Sequence, residues 1–189
     1  MRALAPILVA GTLLTLCGCQ GTDSRHSSPL PKGYPRIEMP DSTYTSIDSL
    51  PVKIAVNAGA ETSVTNRGSD KWIDISYPEF AEGRIYLTLN AVNTNDEAAV
   101  VDNRLERMAL DTAGLPGEKT ELVSTDGWRC IMLTTRTSLT TPLHLLAVGH
   151  GYILSGVFSM NVAENTPPDS LAPVVQAVER DILTMLKSL

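Results

Sequence analysis

The stretch Trp72–Asn90, WIDISYPEFAEGRIYLTLN, decides the fold of this chain. Apolar and polar residues alternate in both of its halves, as they do in strands that bury one face. The side chains predicted to share the buried face are Ile73, Ile75 and Tyr77 in the first half and Ile85, Leu87 and Leu89 in the second. The intervening Pro78–Gly83 has the length of a hairpin connection. The stretch therefore predicts two neighbouring antiparallel strands with one apolar face.

The segments on either side of this hairpin add further strands. Val52–Asn57 predicts a strand, and residues 61–70 are compatible with a weak edge strand that ends in a turn. Downstream, Asp126-Gly127 suits a type I′ turn between two alternating runs, and Gly149-His150-Gly151 indicates another hairpin. Consecutive strands joined by short loops favour a mostly antiparallel sheet.

Two amphipathic helices complete the prediction. The first begins at a capping box, Thr94–Glu97, and ends at Gly114. The second occupies residues 169–189, with Pro173 in its first turn, where a missing N–H costs little. The predicted fold class is therefore α+β, a mostly antiparallel sheet with two main helices packed on it. By analogy alone, the order of elements also resembles a Mog1/PsbP-like α/β/α sandwich.

The N-terminal residues 1–18 have the build of a secretory signal, with one positive charge before an apolar run. The end of this segment, Leu16-Cys17-Gly18-Cys19, resembles the lipobox of bacterial lipoproteins. That resemblance implies cleavage before Cys19 and acylation of Cys19, with palmitate as an expected acyl chain. The alternatives are a C-x-C metal or redox pair and an uncleaved anchor helix. Residues 19–30 then form a flexible tether that carries the lipid, and residues 31–189 form a single α+β domain.

Composition narrows the classes of function. The chain has 15 basic and 21 acidic residues and a net charge of −6, and its basic residues do not cluster. This balance disfavours a nucleic-acid-binding or polybasic membrane surface. Beyond the lipobox the sequence contains a single cysteine, Cys130, within the apolar run RCIML. We expect no internal disulfide and a buried, inert thiol at this position.

The three histidines do not define a catalytic centre. His26 lies in the tether, and His144 lies in an apolar run where the opposite, polar face of a sheet accounts for it. His150 lies between two glycines, which suit either an approaching substrate or a tight turn.

Carboxylates and motifs give no stronger indication of catalysis. Asp74, Glu79 and Glu82 surround the first hairpin without a spacing that fixes an acid/base pair. The sequence contains no G-x-S-x-G, H-E-x-x-H, Walker A or strand-following G-x-G-x-x-G pattern. We therefore predict no catalytic residue, no cofactor and no metal site, and a protein that is not an enzyme.

Aromatic residues near strand ends and turns give a better indication of binding, because aromatic anchors serve partner surfaces. The candidates are Tyr34, Tyr44, Trp72, Tyr77, Tyr86 and Trp128. Because the chain has few aromatic residues, we expect most of these side chains to lie in the core. One or two of them are expected to contact a partner.

Several blocks together resemble the gliding motility lipoprotein GldD family of Bacteroidetes. These blocks are PKGYPRIEMP, WIDISYPEF followed by GRIYLTLN, and GVFSMNVAENTPPDSLAPVVQAVERDI. Their order and spacing match from about residue 31 to residue 189, and PDSLAPV is the most specific piece. The resemblance implies an accessory protein of the cell envelope that is linked to gliding and to the type 9 secretion system. It implies no catalytic activity and no active-site residues.

The sequence as a whole predicts a lipid-anchored, non-catalytic envelope protein that contacts other envelope proteins and faces the periplasm. The absence of an acidic run after Cys19 favours that location, and Gln20 stands where an Asp would retain an enterobacterial lipoprotein in the inner membrane. Two alternatives stay open at this point. One is a small envelope enzyme or ligand-binding protein with a cleft near His150 or Asp74, and the other is a structural or assembly lipoprotein.

Overall fold

The computed structural model describes residues 43–78, 80, 82–136, 138, 140–163 and 166–189. The predicted signal segment, the tether, Cys19 and Tyr34 lie outside the described residues. The elements are β1 Tyr44–Ser46, β2 Ala55–Asn57, β3 Glu61–Arg67, β4 Asp70–Tyr77, β5 Gly83–Ala91, α1 Glu97–Asp111, β6 Glu118–Val123, β7 Arg129–Thr134, β8 Leu143–Gly149, β9 Tyr152–Ser159 and α2 Pro168–Ser188. The predicted α+β class is confirmed.

Seven strands form the main sheet in the order β3-β4-β5-β9-β8-β7-β6, and every pair of neighbours is antiparallel. The predicted hairpin of β4 and β5 is confirmed, with Ile75 opposite Ile85 and Ile73 opposite Leu87. The long-range pairing of β5 with β9 joins two consecutive meanders into one sheet. Strands β1 and β2 form a separate two-stranded sheet.

The two faces of the main sheet carry different helices. On one face, the alternate apolar residues of β4 and β5 pack with α2, which buries Val178 and Ile182 completely. On the other face, Met108 of α1 packs against Leu146 and Val148 of β8. Because side chains of a strand point alternately to opposite faces, one sheet supplies both contacts. The result is a three-layer α/β/α arrangement.

Helix α1 lies where it was predicted, but its capping box is not formed. The helix is capped at Asp96, whose side chain makes no capping hydrogen bond. The carbonyl of Asn93 accepts hydrogen bonds from the N–H groups of Asp96 and Glu97 at 2.9 and 3.0 Å. This backbone turn satisfies the first donors, so the hydroxyl of Thr94 is not needed for capping.

The type I′ turn predicted at Asp126-Gly127 is wrong, and the β8–β9 hairpin, for which no turn type was predicted, has one instead. Gly127 has a φ of +87°, whereas Asp126 is not among the residues with positive φ, so this loop is not a type I′ turn. His150 and Gly151, with φ of +53° and +77°, both lie in the left-handed region that a type I′ turn requires. The turn of the β8–β9 hairpin is therefore the type I′ turn.

Helix α2 begins one residue earlier than predicted, which changes the position of Pro173. This proline lies inside the helix rather than in its first turn. The carbonyl that loses its intrahelical donor belongs to Asp169, which is exposed and is solvated by water instead.

Candidate functional site

Two exposed aromatic side chains lie side by side on the main sheet. Trp72 of β4 is 47% exposed and Tyr86 of β5 is 44% exposed. Trp72 is paired with Thr88, and Tyr86 with Asp74. The two aromatics are therefore diagonal neighbours on one face, about 7–8 Å apart. We call Trp72, Tyr86 and the side chains next to them the aromatic face.

Charged and polar groups surround these rings. The guanidinium carbon of Arg67 lies 4.8 Å from the centre of the Trp72 ring, in cation–π geometry. Thr65 of β3 pairs with Trp72 and is exposed. The indole ring and the guanidinium stacked on it thus present an apolar surface and a positive charge at one place on the sheet.

The other predicted aromatics have structural roles. Tyr77 and Trp128 are 3% and 2% exposed. The hydroxyls of Tyr44 and Tyr77 donate to the two carboxylate oxygens of Asp181 on α2, at 2.7 and 3.2 Å. Burial and this carboxylate raise the pKa of both tyrosines above the usual range. Among the described residues, Trp72 and Tyr86 are thus the predicted aromatics that stay largely exposed.

His150 and Asp74, the two residues named for a possible cleft, are far apart. His150 occupies the turn beside the end of β5, and its Nε2 lies 2.8 Å from the carbonyl oxygen of Asp126. Asp74 is paired with Tyr86, which lies about six residues before the end of β5 that contacts the turn. Asp74 and His150 are therefore roughly 20 Å apart. The structure does not bring the two residues together. His150 is explained by its turn and by its contact with Trp128.

The remaining carboxylates of the first hairpin form no cluster that the structure describes. Glu82 lies in the turn, where it accepts a hydrogen bond from Asn161 at 3.0 Å. Glu79 lies outside the described residues. Across the part of the chain that the structure covers, no three histidine, cysteine or acidic side chains are arranged to hold a metal ion.

Cys130 is buried, as predicted. Its side chain is 2% exposed and its sulfur contacts the backbone oxygens of Trp128 and Leu186 at 3.7 and 3.8 Å. Burial raises the pKa of Cys130 to about 11. The thiolate that would act as a nucleophile is therefore scarce at neutral pH.

A cavity of about 260 Å³ between α1 and the strands β5, β9 and β8 was not predicted from the sequence. We call it the α1 cavity. Its polar lining includes Tyr86, Arg104, Arg107, Asp111, His144 and Ser155. His144 lies on the face opposite α2, as expected, but it is 3% exposed rather than solvated. The sequence feature that could have indicated this cavity is the pair of arginines at helical spacing in α1, Arg104 and Arg107.

The comparisons with known proteins extend these observations. A model of the family described as gliding motility lipoprotein GldD matches residues 24–120, just over half of the chain. The matched part includes the strands of the aromatic face and helix α1. No curated protein and no solved structure matches the chain, so the Mog1/PsbP-like analogy stays a prediction.

In the part of the chain that the structure describes, no helix is both long enough and apolar enough to cross a membrane. The family resemblance inferred from the sequence blocks is confirmed by the family match. The chain belongs to the gliding motility lipoprotein GldD family.

Proposed function

We propose that this protein is a lipid-anchored, non-catalytic accessory subunit of the envelope machinery for gliding and type 9 secretion. Its aromatic face binds another protein of that machinery. The observation that carries this proposal is the pair of exposed aromatics, Trp72 and Tyr86, on a well-ordered sheet of a GldD-family lipoprotein. The lipid on Cys19 holds the domain at the periplasmic face of its membrane.

The chemistry of the aromatic face suits a protein partner. Tryptophan, tyrosine and arginine are the residues most enriched at interface hot spots. Trp72, Tyr86 and Arg67 supply all three within one patch of sheet. The partner surface that fits them is an apolar pocket for the indole ring with a carboxylate at its rim for Arg67.

The test is site-specific photo-crosslinking in cells. A photo-reactive amino acid replaces Thr65, which is exposed beside Trp72, and in a control it replaces Gln176, which is exposed on α2. We expect gliding or type 9 secretion components to be captured from position 65 and not from position 176. Trp72→Ala in the position-65 protein should reduce capture at least tenfold, because truncation of a hot-spot aromatic costs about 2 kcal/mol or more.

The matched control is Val123→Ala, since Val123 is 69% exposed on β6, at the edge of the main sheet opposite β3. This variant should leave capture unchanged. Equal capture from positions 65 and 176, or equal loss in the two alanine variants, would contradict the aromatic face as the interface.

Separately, Cys19→Ala should release the protein from the membrane fraction after salt washing. Retention of this variant there would refute the lipid anchor.

A further inference from the structure

His144 gives the first indication that the α1 cavity holds a ligand. Its side chain is almost fully buried, and among the described residues its Nε2 has no hydrogen-bond partner. The backbone of Thr141 acts to raise the pKa of His144, as a carbonyl oxygen that accepts from the ring does. We assign that donation to Nδ1–H because Nε2 has no partner, and in this tautomer Nε2 is an acceptor. Nε2 is left as a buried acceptor without a donor, which is rare in proteins.

The wall of the cavity formed by α1 lies beside the apolar face by which this helix packs on the sheet. Arg104, Arg107, Met108 and Asp111 recur at intervals of three and four residues, so they share one side of the helix. Met108 is buried, Arg104 is half-buried, and Arg107 and Asp111 are exposed. The charged groups therefore line the cavity from the more exposed side of α1.

The two arginines have hydrogen-bond donors to spare. The Nη2 group of Arg104 donates a hydrogen bond to Oδ1 of Asn90 at 3.0 Å. None of the ion pairs between described residues involves Arg104 or Arg107. Each guanidinium carries five N–H donors in a planar fork that matches a carboxylate or phosphate. An anion between the helix and the sheet would satisfy both groups.

The charge of the cavity selects among anions. Two arginines and Asp111 sum to one positive charge, and burial lowers the pKa of His144, which keeps it neutral. A carboxylate carries a single negative charge, whereas a phosphate monoester carries about −1.5 to −2 at pH 7. A carboxylate therefore fits the local charge better.

The rest of the lining indicates hydroxyl groups on the ligand. Thr88, Ser155 and Tyr86 supply hydroxyls, and Asp111 and His144 Nε2 supply acceptors. At about 260 Å³ the cavity is smaller than the roughly 300–1,000 Å³ of pockets for drug-sized ligands. The ligand is accordingly small and rich in hydroxyls.

We propose that the α1 cavity binds a small polyhydroxy carboxylate of the sugar-acid class, such as a hexuronate. Arg104 and Arg107 hold its carboxylate, and one of its hydroxyls donates to His144 Nε2. This site goes beyond the proposed protein contact; it shares Tyr86 with the aromatic face, but not Trp72. The same chemistry is offered by a free sugar acid and by a terminal uronate of an envelope polysaccharide.

Calorimetric titration of the purified protein tests the proposal. Glucuronate and galacturonate are titrated as ligands, and glucose and glucose 6-phosphate are titrated in the same way for comparison. We expect saturable binding of at least one hexuronate and none of glucose. Arg107→Gln should weaken binding about tenfold or more, because it removes a charge-assisted hydrogen bond. Arg180→Gln, an exposed arginine on α2, is the matched control and should leave binding unchanged.

A nitrogen NMR spectrum of the histidine side chains gives a second readout. The acceptor-type Nε2 signal of His144 should move when the hexuronate binds, and the signals of His150 should not.

Tighter binding of a uronate-terminated oligosaccharide than of the monosaccharide would identify a polysaccharide end as the source, and weaker binding would identify the free acid. The proposal is overturned by the absence of saturable hexuronate binding to folded protein, by equal binding of glucose, or by tighter binding of glucose 6-phosphate. Trp72→Ala should not affect this titration, so the two proposals fail separately.

Discussion

Asp181 is the polar centre of the domain and the subject of the sharpest prediction on stability. It lies on α2, is 7% exposed, and accepts hydrogen bonds from Tyr44 of β1 and Tyr77 of β4. One carboxylate therefore connects the small sheet, the main sheet and a helix. A buried carboxylate with two hydroxyl donors is stable only while its partners are present.

The expected magnitudes follow from which groups each substitution leaves without a partner. Tyr77→Phe removes one hydroxyl whose bond is long at 3.2 Å, and should cost about 1 kcal/mol. Asp181→Ala leaves the buried hydroxyl of Tyr77 unsatisfied as well as removing both bonds, and should cost about 3 kcal/mol. In the Tyr77→Phe background no buried hydroxyl remains, so Asp181→Ala should cost only about 1.5 kcal/mol there.

Urea unfolding of the four proteins, followed by circular dichroism, measures this double-mutant cycle. Tyr86→Phe is the control, because its hydroxyl is on an exposed ring and its loss should change stability by less than about 0.5 kcal/mol. The expected coupling between Tyr77 and Asp181 is about 1.5 kcal/mol. Additive effects, within about 0.5 kcal/mol, would refute the reasoning that the hydroxyl and the carboxylate depend on each other.

Three further measurements test other parts of the structure. Burial lowers the pKa of His144 below its ordinary value of 6.5, so the unfolded chain binds a proton there that the folded chain does not. Stability to urea should fall as pH drops below about 6.5, by up to about 1.4 kcal/mol per pH unit, and His144→Asn should flatten that slope. Cys130, with its pKa raised to about 11, should resist alkylation in the folded protein and react in urea, as followed by mass spectrometry; rapid native alkylation would contradict its burial. Gly156→Ala should lower the free energy of unfolding by about 3 kcal/mol or more, because the added carbon would overlap the backbone oxygen of Tyr86. Gly68→Ala meets open space and should cost about 1–2 kcal/mol, because of its φ of +64°. Equal costs of the two substitutions in thermal unfolding would refute the overlap.

Much of this fold could be predicted from the sequence because its signals are local. The alternation in β4 and β5 places Ile73 and Ile85 on the buried face wherever the strands lie in the sheet. The Asp126-Gly127 and His150-Gly151 turns likewise mark hairpins without knowledge of the rest of the chain. The type I′ turn predicted at Asp126-Gly127 was wrong, since the type of a turn depends on how its loop closes its own backbone hydrogen bonds, and the capping box at Thr94–Glu97 was wrong for the same reason.

The candidate sites could not be predicted because they depend on contacts between distant segments. The aromatic face requires the register that sets Trp72 beside Tyr86 and the choice of which half of the sheet α1 covers. The α1 cavity requires the pairing of β5 with β9 and of β9 with β8, which places Tyr86 and His144 on either side of Val157. No spacing along the chain indicates that residues 58 positions apart line one cavity.

The lengths of the two helices explain why the described residues leave one face of the sheet partly open. Seven strands about 4.8 Å apart make a sheet roughly 29 Å wide. Helix α2, with 21 residues, is about 31 Å long, whereas α1, with 15 residues, is about 22 Å long and roughly 10 Å across. In any orientation α1 leaves some strands uncovered on its face. On that face water solvates the polar side chain of Thr65, whereas Tyr86 and Thr88 border the α1 cavity. Trp72 and Tyr86 are large rings that stay 47% and 44% exposed, and the partner surface that we propose would cover them.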